Sequence, residues 1–301
     1  MVNRSIDQLE KFRERYRLSE KDFDDIFDII VEELTAGYLP SEYPKAIILG
    51  GAPGSGKTEL EKEESAMLGD NAVICNADNL RDFHPLSKRF KKRYPTFYPE
   101  ITAEYAQRWN DLLCEYCQAK RLNFILETTF SSGKRLDDTI RQIKDSDYEA
   151  NIMLVAVNPR LSLLGTFIRY ENSIENLGLG RRVSKQAHDI RYNAIPITTQ
   201  YVASSSLYDN IYIYSRNISL EYSSLFKGLT LACHNPTDVL QIYNEEIHSP
   251  WHPKLEEYFM QSCNDVWEMM CKRSADPAEI DRFREDLGIV NAVSGNIELK
   301  M

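Results

Sequence analysis

Residues 51–58 read Gly51-Ala52-Pro53-Gly54-Ser55-Gly56-Lys57-Thr58, the pattern G-x-x-x-x-G-K-[ST]. The chemistry of that spacing is the cradling of a triphosphate. Glycines let successive backbone N–H groups turn inward around an anion. A helix that starts at the lysine aims the positive end of its dipole at the same phosphates. Lys57 is the mobile cation for the β- and γ-phosphates, and the Thr58 hydroxyl can bind Mg²⁺. All eight residues are therefore candidate nucleotide contacts. The other reading, a glycine-rich turn with no ligand, needs a pattern that average residue usage makes rare in one chain. A phosphate loop names the donor of a phosphoryl group but not its acceptor. The acceptor site must come from the ends of the other strands, where open α/β sheets build their clefts.

Three further sets of residues could supply it. Asp78 follows the apolar run Ala72–Cys75, where a carboxylate can accept a hydroxyl proton as the phosphoryl group is attacked in line. An N-cap for the next turn is the equally good structural reading. Glu127 closes the run Asn123–Leu126 and is followed by Thr128 and Thr129. It can hold Mg²⁺, hydrogen-bond a substrate, or merely end a strand. Arg169, and Arg181 or Arg182 after the flexible stretch 176–180, can neutralise charge on a moving phosphoryl group, although most helical arginines are simply solvated.

The elements that must position these groups are legible. Short apolar runs at 46–49, 72–75, 123–126, 152–157 and 210–214 suit strands buried on both faces. Between them, Ile101, Tyr105, Trp109, Leu112, Leu113 and Tyr116, and then Leu161, Leu164, Phe167 and Ile168, recur at helical spacing. Alternating strands and helices predict an α/β fold of the P-loop kinase type, a parallel sheet with helices on both faces. An N-terminal helix is expected from Ser19, its N-cap with Asp22 in capping-box position, through Leu34. Its apolar face either completes the core or covers the nucleotide loop. Helices near 238–247, 251–271 and from Pro277 follow, and 294–301 reads as a loose tail. The expected organisation is a helical extension over 1–43, a kinase domain over 44–275 and a helical tail over 276–301.

Composition narrows the class. With 36 basic and 46 acidic side chains in 301 residues, the net charge of −10 disfavours non-specific nucleic-acid binding and a nucleic-acid end kinase. The absence of a long apolar run and of an apolar signal core predicts no membrane span and a cytoplasmic protein. Six cysteines make no disulfide scaffold. The lone pair Cys114-x-x-Cys117 reads as core thiols rather than a zinc site.

The stretches I-I-L-G-G-A-P-G-S-G-K-T, N-A-D-N-L-R-D-F-H-P, F-I-L-E-T-T, L-L-G-T-F-I-R-Y-E and K-Q-A-H-D-I together resemble the zeta toxins of epsilon/zeta toxin–antitoxin systems, over about residues 45–260. That resemblance implies an ATP- and Mg²⁺-dependent kinase acting on the 3′-hydroxyl of the amino sugar of UDP-N-acetylglucosamine, which blocks cell-wall synthesis. It implies Asp78 as general base, and Lys57, Arg169 and Arg181 as the cations on the phosphoryl group. Thr58 and Glu127 are implied at the metal, and Arg81, Glu100, Glu127, Thr129 and Thr139 at the sugar nucleotide. Glu100 and Thr139 rest on spacing alone. Two departures stand out: Val183-Ser184 replaces a Thr-Pro or Val-Pro, and Asn76 replaces an acid. The resemblance also implies a small helical antitoxin as partner. The alternatives are the same chemistry on NAD or another nucleotide sugar, or a nucleotide-binding regulatory module without turnover.

Overall fold

The computed structural model describes residues 2–94, 97–216, 229–293 and 296–299. In chain order the elements are α1 (Val2–Arg15), α2 (Glu20–Thr35), β1 (Lys45–Gly51), α3 (Lys57–Met67), β2 (Val73–Cys75), the single turn α4 (Ala77–Leu80), α5 (Ser87–Arg93), α6 (Tyr98–Ala119), β3 (Phe124–Glu127), α7 (Gly133–Asp145), β4 (Glu149–Ala156), α8 (Pro159–Leu177), α9 (Lys185–Ser205), β5 (Asn210–Arg216), β6 (Leu229–His234), α10 (Val239–His248), α11 (Pro253–Lys272), α12 (Pro277–Leu287), β7 (Ile289–Val293) and β8 (Asn296–Leu299). Six strands form one sheet in the order β2-β3-β1-β4-β5-β6. The five expected strands are β1 to β5. In β1, β3 and β4 the apolar run that marked the strand is buried almost throughout, as coverage on both faces requires.

The chain divides into two compact units. The first comprises Met1–Ile47, Glu64–Glu127 and Asp145–Glu149. In it β2 and β3 pair in parallel, from Val73 opposite Phe124 to Cys75 opposite Leu126. Ser19 caps α2 as expected: its hydroxyl oxygen accepts from the Asp22 N–H at 3.1 Å and donates to the Asp22 carboxylate at 2.7 Å. The stripe Phe23, Ile26 and Ile30 is buried. Phe23 stacks on Trp109 of α6 at 5.3 Å, and the indole N–H donates to the Phe23 carbonyl. This helix is thus a core element of its unit. Helix α1 was not expected, because its segment is charged throughout. Its Leu9 and Phe12, with Tyr16 just beyond, pack on Phe90, Tyr98 and Ile101. Cys75, Cys114 and Cys117 are buried free thiols, and burial together with the neighbouring thiols holds Cys75 protonated.

The second unit comprises Ile48–Glu63, Thr128–Lys144 and Ala150–Met301. Strands β4 and β5 run parallel, Asn151 opposite Asn210 through Ala156 opposite Ser215. The expected, mostly parallel sheet is present, with one strand that was not expected, β6, added antiparallel to β5. Its sequence gave no warning, since an edge strand needs one buried face and Leu231 is exposed. Strand β5 alternates between buried and half-buried residues, where burial on both faces was expected. The supposed loose tail contains a strand, with Val293 paired to Asn296 and Ile289 to Leu299 across β7 and β8; residues 294, 295, 300 and 301 lie outside the described residues. Among the described residues no helix is long and apolar enough to cross a membrane.

Candidate active site

In the second unit the phosphate loop leaves β1 and enters α3 at Lys57, as the motif requires. Lys57 is nearly buried, and its ammonium donates to the Gly51 and Ala52 carbonyls at 2.9 and 3.0 Å. The loop thereby holds a desolvated cation against its own backbone. Ser55 is 1% exposed and its hydroxyl has no hydrogen-bond partner among the described residues. A buried hydroxyl without a partner is costly, and a phosphate oxygen or water in the loop would satisfy it. Thr58 lies exposed on the first turn of α3.

The loop is fixed by backbone contact with α8. Gly54 has φ +78, and a Cβ there would stand 2.1 Å from the Ser162 carbonyl and 2.7 Å from the Thr166 nitrogen. The reciprocal Cβ at Gly165 would stand 2.2 Å from the Gly54 carbonyl. Only two glycines permit that approach. At Gly56 a Cβ would meet the Arg216 guanidinium at 2.5 Å, so the arginine that ends β5 lies on the loop beside Lys57. Its Nε is buried with no partner among the described residues.

Helix α8 is capped by Asn158, whose side chain accepts from the Arg160 N–H, and is stopped by Gly178 in the left-handed region at φ 68. Arg169 on this helix is exposed. Beyond the stop, Arg181 and Arg182 are both half-buried. Arg182 lies over the Phe167 ring at 5.5 Å and 3.8 Å from the Glu279 carboxylate. In the K-Q-A-H-D stretch, His188 Nε2 lies 2.8 Å from the Ser162 hydroxyl and Nδ1 lies 3.0 Å from the Asp189 carboxylate, which Lys185 also pairs. The order serine–histidine–aspartate suggests a hydrolytic triad. Ser162 and His188 are fully buried, however, so the trio locks α9 to α8. Burial lowers the His188 pKa despite the Asp189 contact that raises it.

In the first unit the structural alternative for Asp78 falls to another residue. Asn76 caps α4, accepting the Asp78 N–H at 2.9 Å. The Asp78 side chain is half-exposed and receives the Arg81 Nε–H at 2.8 Å. Arg81 is itself clamped to the Pro99 carbonyl and, at 3.1 Å, to the Thr102 hydroxyl. The Asn76 amide donates to the Glu127 carboxylate at 2.6 Å, so one side chain ties the two candidate carboxylates to a common frame. His84 of the His-Pro turn is buried and accepts the Leu86 N–H. Burial depresses its pKa to about 4, which makes it a neutral structural residue.

The remaining candidates are less committed. Glu100 is exposed on the first turn of α6, and its carbonyl accepts from Arg13. The Thr129 hydroxyl pairs with Ser131 at 2.7 Å, and the Thr139 hydroxyl donates to the Arg135 carbonyl of its own helix at 3.0 Å. The spacing of motifs did not single out Ser162, Gly165 or Arg216. A glycine inside a helical pattern was the available signal for Gly165.

Comparison with known proteins agrees with this architecture. The zeta toxin family profile matches residues 30–226. The chain is 32% identical over 208 residues to toxin zeta of Streptococcus agalactiae, covering 69% of this chain and 72% of that protein. It is 29% identical over 222 residues to toxin PezT of Streptococcus pneumoniae, covering 73% and 85%. A structure from the PezAT chromosomal toxin–antitoxin system of Streptococcus pneumoniae superposes with a TM-score of 0.72 at 22% identity, over 84% of this chain and 98% of that one. The AvrRxo1-ORF1:-ORF2 complex, solved with ATP, gives a TM-score of 0.53 at 12% identity, over 89% of this chain and 82% of that one, a likeness of fold alone. By the extent of the profile match and the identity to its relatives, the chain belongs to the zeta toxin family of kinase-like toxins.

Proposed function

We propose that the protein transfers the γ-phosphate of ATP to a sugar hydroxyl, with the 3′-hydroxyl of UDP-N-acetylglucosamine as acceptor. The observation that carries this reading is the state of Asp78. Its capping role is taken by Asn76, and its carboxylate is held in one orientation by an arginine that is itself braced at two further points. A carboxylate that serves only a helix end needs no such support.

In this mechanism Asp78 takes the proton of the attacking hydroxyl. The sugar oxygen forms its bond to the γ-phosphorus as the bond to the bridging oxygen breaks, and ADP leaves. Lys57 exchanges its loop carbonyls for phosphate oxygens, and Arg169 and Arg181 neutralise the charge that spreads over the group in transit. Arg181 is preferred to Arg182 by its count back from Lys185 of the K-Q-A-H-D stretch, the position that the family resemblance implies. Thr58 and Glu127 offer oxygen donors of the kind a hard divalent cation takes, and Mg²⁺ bound there would draw charge from the outer phosphates. Arg81, Glu100, Glu127, Thr129 and Thr139 are the candidate contacts to the sugar nucleotide, and Arg81 also holds the Asp78 carboxylate. The kinase body is taken as 44–275, with extensions at 1–43 and 276–301. The reaction belongs in the cytoplasm, where ATP and nucleotide sugars are made, and an antitoxin that covers the nucleotide loop is the partner it implies.

An acceptor screen tests the reading. The protein, Mg²⁺ and ATP are incubated with UDP-sugars, NAD and free sugars, and the products are weighed by mass spectrometry. One added phosphate on UDP-N-acetylglucosamine, reduced at least a hundredfold by Asp78→Ala, is the expected result. Phosphate on NAD alone would move the acceptor. Tight ATP binding with no transfer to any acceptor would leave a regulatory nucleotide-binding module instead.

A further inference from the structure

Helix α8 and the segment after it carry both arginines assigned to the phosphoryl group, and this region is gripped from the C-terminal side by a network of charges built on one buried carboxylate. Glu171, two residues beyond Arg169, is 1% exposed. A carboxylate taken that far out of water must be matched by a close cation. Arg273, at the end of α11, supplies it as a fork: Nε lies 2.7 Å from one carboxylate oxygen and Nη2 lies 2.8 Å from the other. The same Nη2 reaches Glu279 on α12 at 2.8 Å. Glu279 in turn faces Arg182 at 3.8 Å. Four alternating charges therefore run from α8 through α11 and α12 to the neighbour of Arg181.

Packing follows the same line. Arg273 lies over the Tyr170 ring at 5.7 Å, and Phe167 meets Phe283 of α12 edge-on at 5.0 Å. A Cβ at Gly180 would stand 2.8 Å from the Tyr170 carbonyl, so the segment after α8 folds back onto the helix with no slack. Farther along, Lys272 pairs with Glu175 on the same helix. Residues 167, 170, 171 and 175 of α8 all face this bracket, while Arg169 projects from the exposed side. Arg273, Glu279 and α12 lie outside the residues matched by the family profile, 30–226.

We infer that the C-terminal helices position the arginine-bearing segment of this protein, with Arg273 and Glu279 as positioning residues that hold residues 178–184 through Arg182 and hold the Arg169 turn through Glu171. The grip acts by geometry. A planar fork fixes both the distance and the orientation of its carboxylate, which a lysine point charge does not. This inference rests on the kinase reading for its catalytic consequence, but the restraint itself does not depend on it.

The two are separable by experiment. Glu279→Gln removes the charge that faces Arg182 and leaves the Glu171–Arg273 fork in place, so it is the variant expected to fold. Arg273→Lys and Arg273→Met grade the loss of the fork. Hydrogen exchange followed by mass spectrometry on the full chain reads peptides covering 172–184 against peptides from α6. The expectation is exchange at least fivefold faster in 172–184 for Glu279→Gln, faster still for Arg273→Met and intermediate for Arg273→Lys, with α6 unchanged. With the acceptor identified by the screen, kcat should fall about tenfold in Glu279→Gln while KM for ATP stays within twofold. Wild-type exchange in 172–184 for both Glu279→Gln and Arg273→Lys overturns the inference, whatever the acceptor. Faster exchange with unchanged kcat overturns the positioning role and leaves a brace for stability. If no acceptor is phosphorylated the kinase reading fails, and the exchange measurement still decides whether the bracket holds the segment.

Discussion

His84 sits in the turn between the candidate base and α5 with its ring buried and uncharged, its pKa lowered by desolvation to about 4 from the ordinary 6.5. A histidine whose folded pKa lies below its unfolded value stabilises the fold above pH 6.5 and loses that contribution as the pH falls towards 4, because the unfolded chain takes up the proton first. The expected loss between pH 7 and 4.5 is about 2–3 kcal/mol. Denaturant unfolding of the wild type and of His84→Asn at the two pH values checks it. Asn keeps an acceptor for the Leu86 N–H, so the variant should show a smaller drop by roughly that amount, and equal drops would show that His84 does not titrate between folded and unfolded states. At this scale the sequence offered Asp78, Lys57 and Glu127 as candidates but left their alternatives open. What removed the capping alternative at Asp78 was a hydrogen bond from its own N–H to Asn76, a contact between near neighbours that spacing alone cannot distinguish from its competitor.

The phosphate loop and the first turns of α8 meet through Gly54 and Gly165, and a methyl group on either would enter the other's backbone. Backbone cannot rotate out of the way as a side-chain tip can. Gly165→Ala should therefore push the loop off α8, at about 1–3 kcal/mol in stability, and weaken ATP binding at least tenfold with the far-ultraviolet circular dichroism preserved. Calorimetric titration with Mg-ATP measures it, and wild-type affinity would mean that the loop tolerates the shift. In the first unit, Phe23 carries the attachment of α2 through its stacking on Trp109. Phe23→Ala should cost about 3–5 kcal/mol in urea unfolding, the usual range for emptying a buried aromatic site. A cost below about 1 kcal/mol would show that α2 is peripheral. Periodicity found α2 and α6 because each buries a regular stripe, and it found α8 although Leu161 to Leu164 at its start are buried all round. It missed α1, whose few aromatic contacts are scattered among charges, and β6, whose exposed edge leaves no apolar run.

For the whole molecule the decisive prediction is linkage. Mg-ATP at about a hundred times its Kd should stabilise the protein by about 2.7 kcal/mol, seen as a rise of several degrees in Tm. Lys57→Ala should abolish the rise, because the nearly buried ammonium that now bonds the Gly51 and Ala52 carbonyls is the group that exchanges them for phosphate. An undiminished rise in Lys57→Ala would remove the loop from nucleotide binding. The net charge of −10 sets a related expectation at this scale: anion binding must come from local cations and backbone N–H groups, since the mean field repels phosphate.

The sequence by itself determined the nucleotide loop, the alternation of strand and helix, and the family, because each is written in residues adjacent along the chain and repeats at fixed spacing. Tertiary structure decided the rest. The glycine pairing of Gly54 with Gly165, the Arg216 guanidinium on Gly56, the buried Ser162–His188 lock and the Glu171–Arg273 fork join residues separated by tens of positions. Their partners are fixed only when strand order and helix packing bring them within hydrogen-bond or van der Waals range, and no local pattern encodes that distance.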